Sequence, residues 1–335
     1  MRPKLQEVAA LAGVSEATVS RVMNARAGVA EPTRRLVLDV LSDLGYREVP
    51  ASSARSGVVG IITPELENPI FPLLAQTIES RLARHGIMSV VCPSTSETIH
   101  EDDYLDHLVD IDANGVVVVN GRYAQAGIGY EPYERMLDKG VPTVLVNGIF
   151  PDCPVPAVSI DVAAAAQSGV QHLARLGHTT IGCLIGPRRY STSQLLVEGY
   201  EAAMATAGLE TGSHLVSETL FTLEGGHAGM AKLLEAGATG IITGGDLMAI
   251  GAIGAVRAWG ASVPDDVSII GLDGTPIASL TDPALTTLRQ PVDRMSAAVA
   301  SMIVAQTTDD TRPRPQLFRP ELVVGGSAGR PPKAY

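Results

Sequence analysis

The apolar positions of the first two dozen residues follow a helical period twice. Leu5, Val8, Ala9 and Ala12 recur at i, i+3, i+4 and i+7, the stripe of a short helix. Gly13 follows, a residue that accepts the left-handed conformation closing a helix. Ser15 then caps a second helix that buries Val19, Val22 and Met23 and turns Glu16, Ala17, Ser20 and Arg21 outward. Two short helices across a tight glycine turn form a helix-turn-helix, whose second helix fits the major groove of DNA. Arg21 carries the forked donors that read guanine O6 and N7. A third helix opens near Pro32, with Leu36, Val37, Val40, Leu41 and Leu44 inward and Gly45 as its stop.

Residues 47–57, REVPASSARSG, show no apolar period and read as a linker. From Val58 the texture changes. Unbroken apolar runs at 58–63, 88–92, 115–119, 142–146, 180–186, 239–243 and 267–273 alternate with helical stretches. Short runs separated by helices predict parallel strands buried on both faces. Roughly 270 residues exceed one doubly wound sheet, so two α/β lobes are expected, with a ligand cleft at the carboxyl ends of their strands.

Composition changes this picture little: 335 residues, 45% hydrophobic and 18% charged, make an ordinary soluble globular balance. No apolar run approaches the ~18 residues of a membrane span. The chain enters a helix too early for a signal peptide, so the cytoplasm is the expected location. Cys92, Cys153 and Cys183 are odd in number and lack metal spacing; Cys92 and Cys183 read as buried strand residues. Charge changes it more. Residues 1–57 hold eight Arg or Lys against six Asp or Glu, a net of +2, which leaves −13 of the total −11 to the remainder. A mildly basic head beside an acidic remainder fits DNA reading confined to one end.

The string AGVS-x-x-TVSRV-x-N, continued by Thr33-Arg34-Arg35 and Leu44-Gly45-Tyr46, resembles the DNA-binding head of the LacI/GalR family of bacterial repressors. The alternating region resembles that family's periplasmic-binding-protein-like effector domain, so the resemblance covers nearly the whole chain. It implies an all-α helix-turn-helix head at 1–46, a hinge at 47–57 and a two-lobed α/β effector-binding and dimerisation domain with parallel sheets at 58–330. Residues 58–160 and 290–315 would form the lobe nearer DNA. Residues 161–288 and 317–330, with a final strand near 317–324, would form the other.

The implied protein is a transcription regulator, a repressor, binding a pseudo-palindromic operator in double-stranded DNA as a homodimer. A small-molecule effector, a sugar or related metabolite, would control it. No cofactor, metal, catalytic residue or membrane contact is implied. Lys4, Ser15, Thr18 and Asn24 join the outward residues of the second helix as expected DNA contacts, with Thr33 and Arg34 on phosphates and Arg55 from the linker. The family's hinge usually carries Ala-Arg-x-Leu, its leucine wedging into the minor groove. Here Ser56-Gly57 follow Ala54-Arg55, and no Leu, Ile, Met or Phe lies between Tyr46 and Val58. The apolar wedge that kinks a base step is therefore missing. The tail GRPPKAY lacks the leucine heptads of a tetramerising coil, which points to a dimer.

Asn68, Asp161 and Asp246 each stand just before a helical stretch, and Asp273 closes the run VSIIGLD. Singly each reads as a cap; as a set they converge on one cleft. The resemblance implies ligand contacts from Asn68, Ile70 and Phe71, a polar contact from Asn147, ring stacking by Phe221 and acceptance of hydroxyls by Asp273. Two positions depart from the family. Leu196 replaces an arginine, and Gly245-Asp246 replace Asn-Asp, so Leu196 and Asp246 would face the ligand with fewer donors for a polyol.

Other motifs are set aside. Gly325-Gly326-Ser327-Ala328-Gly329 matches G-x-S-x-G, but no helix or His follows it. His100, Asp103 and His107 sit among further acids and read as a solvated face. Gly251 and Gly254 lie within a helix and permit close packing. A sugar-processing α/β enzyme with an appended head is the rival reading, but no nucleophile–base pair, metal cluster or phosphate loop supports it. The head opposes a stand-alone solute-binding protein.

Overall fold

Helices α1 (Leu5–Ala12) and α2 (Glu16–Met23) meet across the turn the sequence predicts. Gly13 takes φ +64°, and the Val14 N–H donates to the Ala9 carbonyl at 3.1 Å, the six-to-one bond that closes a helix around a left-handed residue. Ser15 Oγ accepts from the Thr18 N–H at 3.2 Å and starts α2. Eight-residue helices are too short to persist alone, so the stability of the pair lies in packing. Val8, Ala12, Val19 and Val22 close on Val37 and Leu41 of α3 (Glu31–Asp43). Leu36, expected inward, is 48% exposed; the inner face of α3 runs through Val37, Val40 and Leu41 instead.

The structure is a computed structural model that describes residues 5–23, 29–43, 57–95, 99–148, 153–308 and 313–332. Residues 1–56 form one compact unit and 57–335 a second. Lys4, Asn24, Leu44, Arg55 and the hinge expectation lie outside the described residues.

The second unit holds two six-stranded sheets among the described residues. The first is built from β1 (Val59–Thr63), α4 (Ile70–Ala83), β2 (Ser89–Pro93), α5 (Glu101–Asp110), β3 (Gly115–Val119), α6 (Glu131–Asp138), β4 (Thr143–Val146) and β5 (Ala157–Ile160). Asp161 then caps α7 (Val162–Leu176), its carboxylate accepting from the Ala164 N–H at 2.9 Å, and the chain enters the second lobe. That lobe runs β6 (Ile181–Ile185), α8 (Ser191–Ala207), β7 (Val216–Glu218), α9 (Leu223–Glu235), β8 (Gly240–Thr243), α10 (Asp246–Ala258), β9 (Ser268–Asp273) and β10 (Thr286–Arg289).

Gln290 and Pro291 lead back to α11 (Val292–Thr308), which packs on α4, β4 and β5 of the first lobe. The final strand expected near 317–324 is two strands. β11 (Gln316–Phe318) pairs parallel with β5 in the first sheet, and β12 (Glu321–Val323) pairs antiparallel with β10 in the second. Arg319 and Pro320 carry the chain across. The orders are therefore β11-β5-β4-β3-β1-β2 and β12-β10-β9-β8-β6-β7.

Strands β1, β3, β4, β6, β8 and β9 are buried at every residue, as their unbroken apolar runs require. Edge strand β2 differs, with Val90 43% and Val91 38% exposed. Ser327 of the G-x-S-x-G string is fully buried, donating to the Ile269 carbonyl and accepting from the Thr286 N–H. It is a staple between strands. A Cβ on Gly251 would sit 1.9 Å from the Leu223 carbonyl oxygen, so α9 and α10 approach through that glycine.

Candidate effector cleft and recognition helix

The carboxyl ends of both sheets open onto a cleft of about 510 Å³, within the range of small-ligand sites. On the first-lobe side, Asn68, Ile70 and Phe71 line it from the start of α4. Asn120 and Asn147 line it from the residues that immediately follow β3 and β4. Asn120 has φ +48° and Asn147 φ +66°, a left-handed backbone that side chains adopt at a cost and that concentrates at functional sites. The side-chain oxygens of both are buried and have no hydrogen-bond partner among the described residues. Buried acceptors without partners are costly, so these two amides at the cleft wall are groups that a small shift of the wall toward a donor-bearing ligand would satisfy.

On the second-lobe side an aromatic pair stands among polar residues. Phe221 and Tyr190 meet edge-to-face with centroids 6.0 Å apart, and both line the cleft. Gly186 and Gly244, the residues after β6 and β8, leave room for the phenyl ring. A Cβ would stand 2.2 Å from it at Gly186 and 3.2 Å at Gly244.

Asp273 ends β9 at φ +127° and reaches the cleft wall while only 7% exposed. Its carboxyl accepts from Gln290 Nε2 at 2.8 Å and from the Asp246 N–H at 3.4 Å. Burial pushes the Asp273 carboxyl well above the usual carboxylate range; the Asp246 charge adds to this, and Gln290 and the Asp246 N–H oppose it. Asp246 is also raised by burial, against four opposing hydrogen bonds from Thr287, Thr275 and Gly274. Burial and the Asp246 charge both push Asp273 toward its neutral form, while Asp246 has more hydrogen bonds holding its charge.

Two expected ligand residues do not reach the cleft. Asp246 is 1% exposed and turns to the turn after β9, accepting from the Thr275 N–H and hydroxyl at 2.8 Å and from the Thr287 hydroxyl at 2.6 Å. Nor does it cap α10, since it is the first helical residue and Gly245 holds the cap position. Leu196 is 2% exposed and belongs to the apolar core under α8. Arg189 is the arginine that lines this cleft. Asn120, Arg189, Tyr190, Thr192, Gln290 and Glu65 line it without having been picked out in the sequence.

In the first unit, Ser15, Glu16, Ala17 and Arg21 are exposed on α2, with Thr18 and Ser20 half-buried beside them. Thr33 and Arg34 are half-buried at the start of α3.

Residues 4–48 match the pattern of the bacterial regulatory proteins of the lacI family, and residues 170–328 match that of the periplasmic binding protein-like domain. The regulator MalR of Streptomyces coelicolor is 41% identical over 99% of this chain and 98% of its own length. The regulator DegA of Bacillus subtilis is 32% identical over 89% of each. This chain belongs to the lacI family of bacterial regulatory proteins. This lacI-family regulator is similar to the solved CelR–cellobiose complex, at 29% identity and TM-score 0.73 over 97% of this chain and all of that one. It shares its fold with the lac repressor dimer bound to operator, at 23% identity and TM-score 0.80 over 98% of this chain and all of that one. The relatives are named HTH-type transcriptional regulators, and this protein is a DNA-binding transcription regulator rather than an enzyme. No helix among the described residues is long and apolar enough to cross a membrane.

Proposed function

We propose that this regulator acts in the cytoplasm as a homodimeric repressor whose operator affinity is set by a sugar-class effector in the interlobe cleft. The observation that carries the reading is the pairing of unsatisfied Asn120 and Asn147 oxygens on one wall with the Phe221–Tyr190 ring pair on the other. Amides at one wall and an apolar ring at the other suit a molecule with hydroxyls at its rim and C–H faces between them. The solved relative with cellobiose supports this class. Asn68, Ile70, Phe71, Asn147, Phe221 and Asp273 are the proposed effector contacts carried over from the sequence, with Asn120, Arg189 and Tyr190 added by the geometry.

At the DNA, Ser15, Glu16, Ala17, Thr18, Ser20 and Arg21 form the proposed base-facing surface. Lys4, Asn24, Thr33, Arg34 and Arg55 complete the contacts to backbone and groove edge. Residues 58–160 with 290–318 act as one lobe, and 161–288 with β12 as the other. Effector binding shifts the arrangement of the lobes and, through 47–57, the grip on DNA.

The test is fluorescence anisotropy on an operator located by footprinting. Arg21→Ala costs ~1–3 kcal/mol on the operator alone, whereas Arg34→Ala weakens all DNA and flattens the salt slope by about 1. Equal losses for Arg21→Ala on operator and random DNA would overturn base reading. With no apolar wedge in 47–57, the operator centre stays nearly unkinked in a circular-permutation assay. A sharp central kink that vanishes when residues 47–57 are replaced would show that the short hinge still inserts.

A further inference from the structure

The chain passes between the lobes at Asp161, at Gln290–Pro291 and at Arg319–Pro320. These crossings join β5 and β11 of the first sheet to β10 and β12 of the second side, strands that lie toward one edge of each sheet. Away from that edge the lobes meet again. The turn after β3 reaches the loop after β6, where Gln125 and Tyr190 form an isolated antiparallel bridge. Beside it the Ala126 N–H donates to the Arg189 carbonyl at 2.7 Å.

Each partner is braced by its own lobe. The first-lobe turn grows from a short helical turn at Arg122–Ala124, where Tyr123 is fully buried and its hydroxyl accepts from the Val146 N–H at 3.1 Å. The Ile128 N–H then donates to the Gln125 carbonyl at 3.3 Å, with Gly127 at φ +82°. A left-handed third residue marks a type II turn, and the N–H of its second residue, Ala126, takes no part in the turn's own bond. On the second-lobe side, the Arg188 N–H donates to Glu218 Oε1 at 2.8 Å. The Arg188 carbonyl accepts from Gln194 Nε2 of α8, also at 2.8 Å. Two backbone groups fixed in this way cannot follow one another when the lobes part.

We propose that the turn Gln125–Ile128 is a clasp that holds the lobes together over the cleft before any effector is bound. Ala126 is its positioning residue: its N–H holds Arg189 and Tyr190, both of which line the cleft, against the first-lobe wall. One neutral backbone hydrogen bond biases such an equilibrium by about two- to tenfold. That is enough to set the resting arrangement and little enough for an effector to override. Resting on the reading that lobe arrangement sets the grip on DNA, the clasp fixes the operator affinity of the ligand-free protein.

The experiment cross-links the clasp in the full chain without ligand. The Ala126–Arg189 bond flanks the Gln125–Tyr190 pair, and a pair flanked in this way brings its Cα atoms to about 4.5 Å, within disulfide range. Gln125→Cys with Tyr190→Cys, in a Cys153→Ser background, should form a disulfide under oxidised glutathione, followed by intact mass after alkylation. Ala126→Pro then removes the N–H. Proline suits the second position of a type II turn, and Gln125 at ψ 134° already has the extended backbone that precedes one. The melting temperature should hold while disulfide formation slows at least about threefold. Gly127→Ala, which keeps the N–H but strains the turn at positive φ, should slow it as well. No disulfide, or equal rates with and without both turn substitutions, would overturn the clasp. By fluorescence anisotropy, the oxidised and reduced pairs should differ at least about threefold in affinity for the footprinted operator. Equal operator affinities beside fast cross-linking would overturn the reading on which the coupling rests and leave the clasp standing.

Discussion

In the first lobe, β3 and β4 run out into Asn120 and Asn147, each held at left-handed φ with an unpartnered oxygen. In the second, β6 and β8 run out into Gly186 and Gly244, with the Phe221 ring lying over both. By the strand orders β8 stands where β3 does, so Asn120 and Gly244 are two solutions at one position, while β6 stands where β1 does. One lobe offers polar side chains and accepts backbone strain to aim them. The other deletes its side chains and fills the space with an aromatic ring brought in just before α9. The lesson is that matching strand ends of two similar sheets can serve differently: an amide held in place at Asn120, room for a ring at Gly244. β4 and β9 refine it, since both end on a positive-φ polar residue, yet Asn147 has an unpaired oxygen while Asp273 is bound to Gln290.

The sharpest way to break this division is Phe221→Ala. Losing a ring that covers the ligand should cost ~2–3 kcal/mol, or about 30- to 100-fold in effector affinity by calorimetry. Operator binding without effector should be unchanged; a loss below about threefold would move the apolar contact elsewhere.

Next in size is Gly186→Ala, which leaves every ligand-facing side chain in place but sets a Cβ 2.2 Å from the ring. The ring must swing away, and effector affinity should fall about tenfold, ~1.4 kcal/mol, without loss of operator binding. The matching test in the first lobe separates strain from contact. Asn147→Ala should cost ~1–2 kcal/mol of stability in a denaturant titration, because alanine tolerates φ > 0 poorly, whereas Asn147→Gly should not. Both should lose the same effector affinity if the amide is a contact.

The smallest expected effect concerns Asp273. Its folded pKa lies well above its unfolded value. Its favourable contribution is therefore complete below about pH 4 and is lost as pH rises through the folded value. Asp273→Asn, which cannot ionise, should gain melting temperature relative to the parent as pH rises from 5 to 8 and gain nothing at pH 4. A parent that becomes relatively more stable with rising pH would assign the proton to Asp246.

Much of this division was legible. The runs that became β1, β3, β4, β6, β8 and β9 are apolar because they are buried on both faces. β10 was hidden because its buried residues Thr286 and Thr287 are polar, their hydroxyls serving Gly325 and Asp246. Asn120 was within reach, since GVVVVN repeats the pattern of TVLVN and only the second was read as a site. Arg189 and Tyr190 carried no such signal: they lie in a loop, and their place in the cleft depends on the bridge to Gln125. Leu196 and Asp246 were misplaced for a related reason. Both occupy positions where the family usually carries polar ligand contacts, but their side chains face the interior.

The crossing at Arg319 and Pro320 has a consequence for synthesis. The ribosome finishes β5 at residue 160, yet the strand that covers its open edge begins at Gln316, and α11 begins only at Val292. The second sheet waits almost as long, with β10 uncovered until Glu321. At ~5–20 residues per second, the nascent first lobe spends many seconds with an unpaired strand edge, a template for aggregation. A chain stopped at residue 315 would lose an outer strand from each lobe at once. Completion is therefore late for both halves: the first sheet closes with Gln316–Phe318 and the second only with Glu321–Val323.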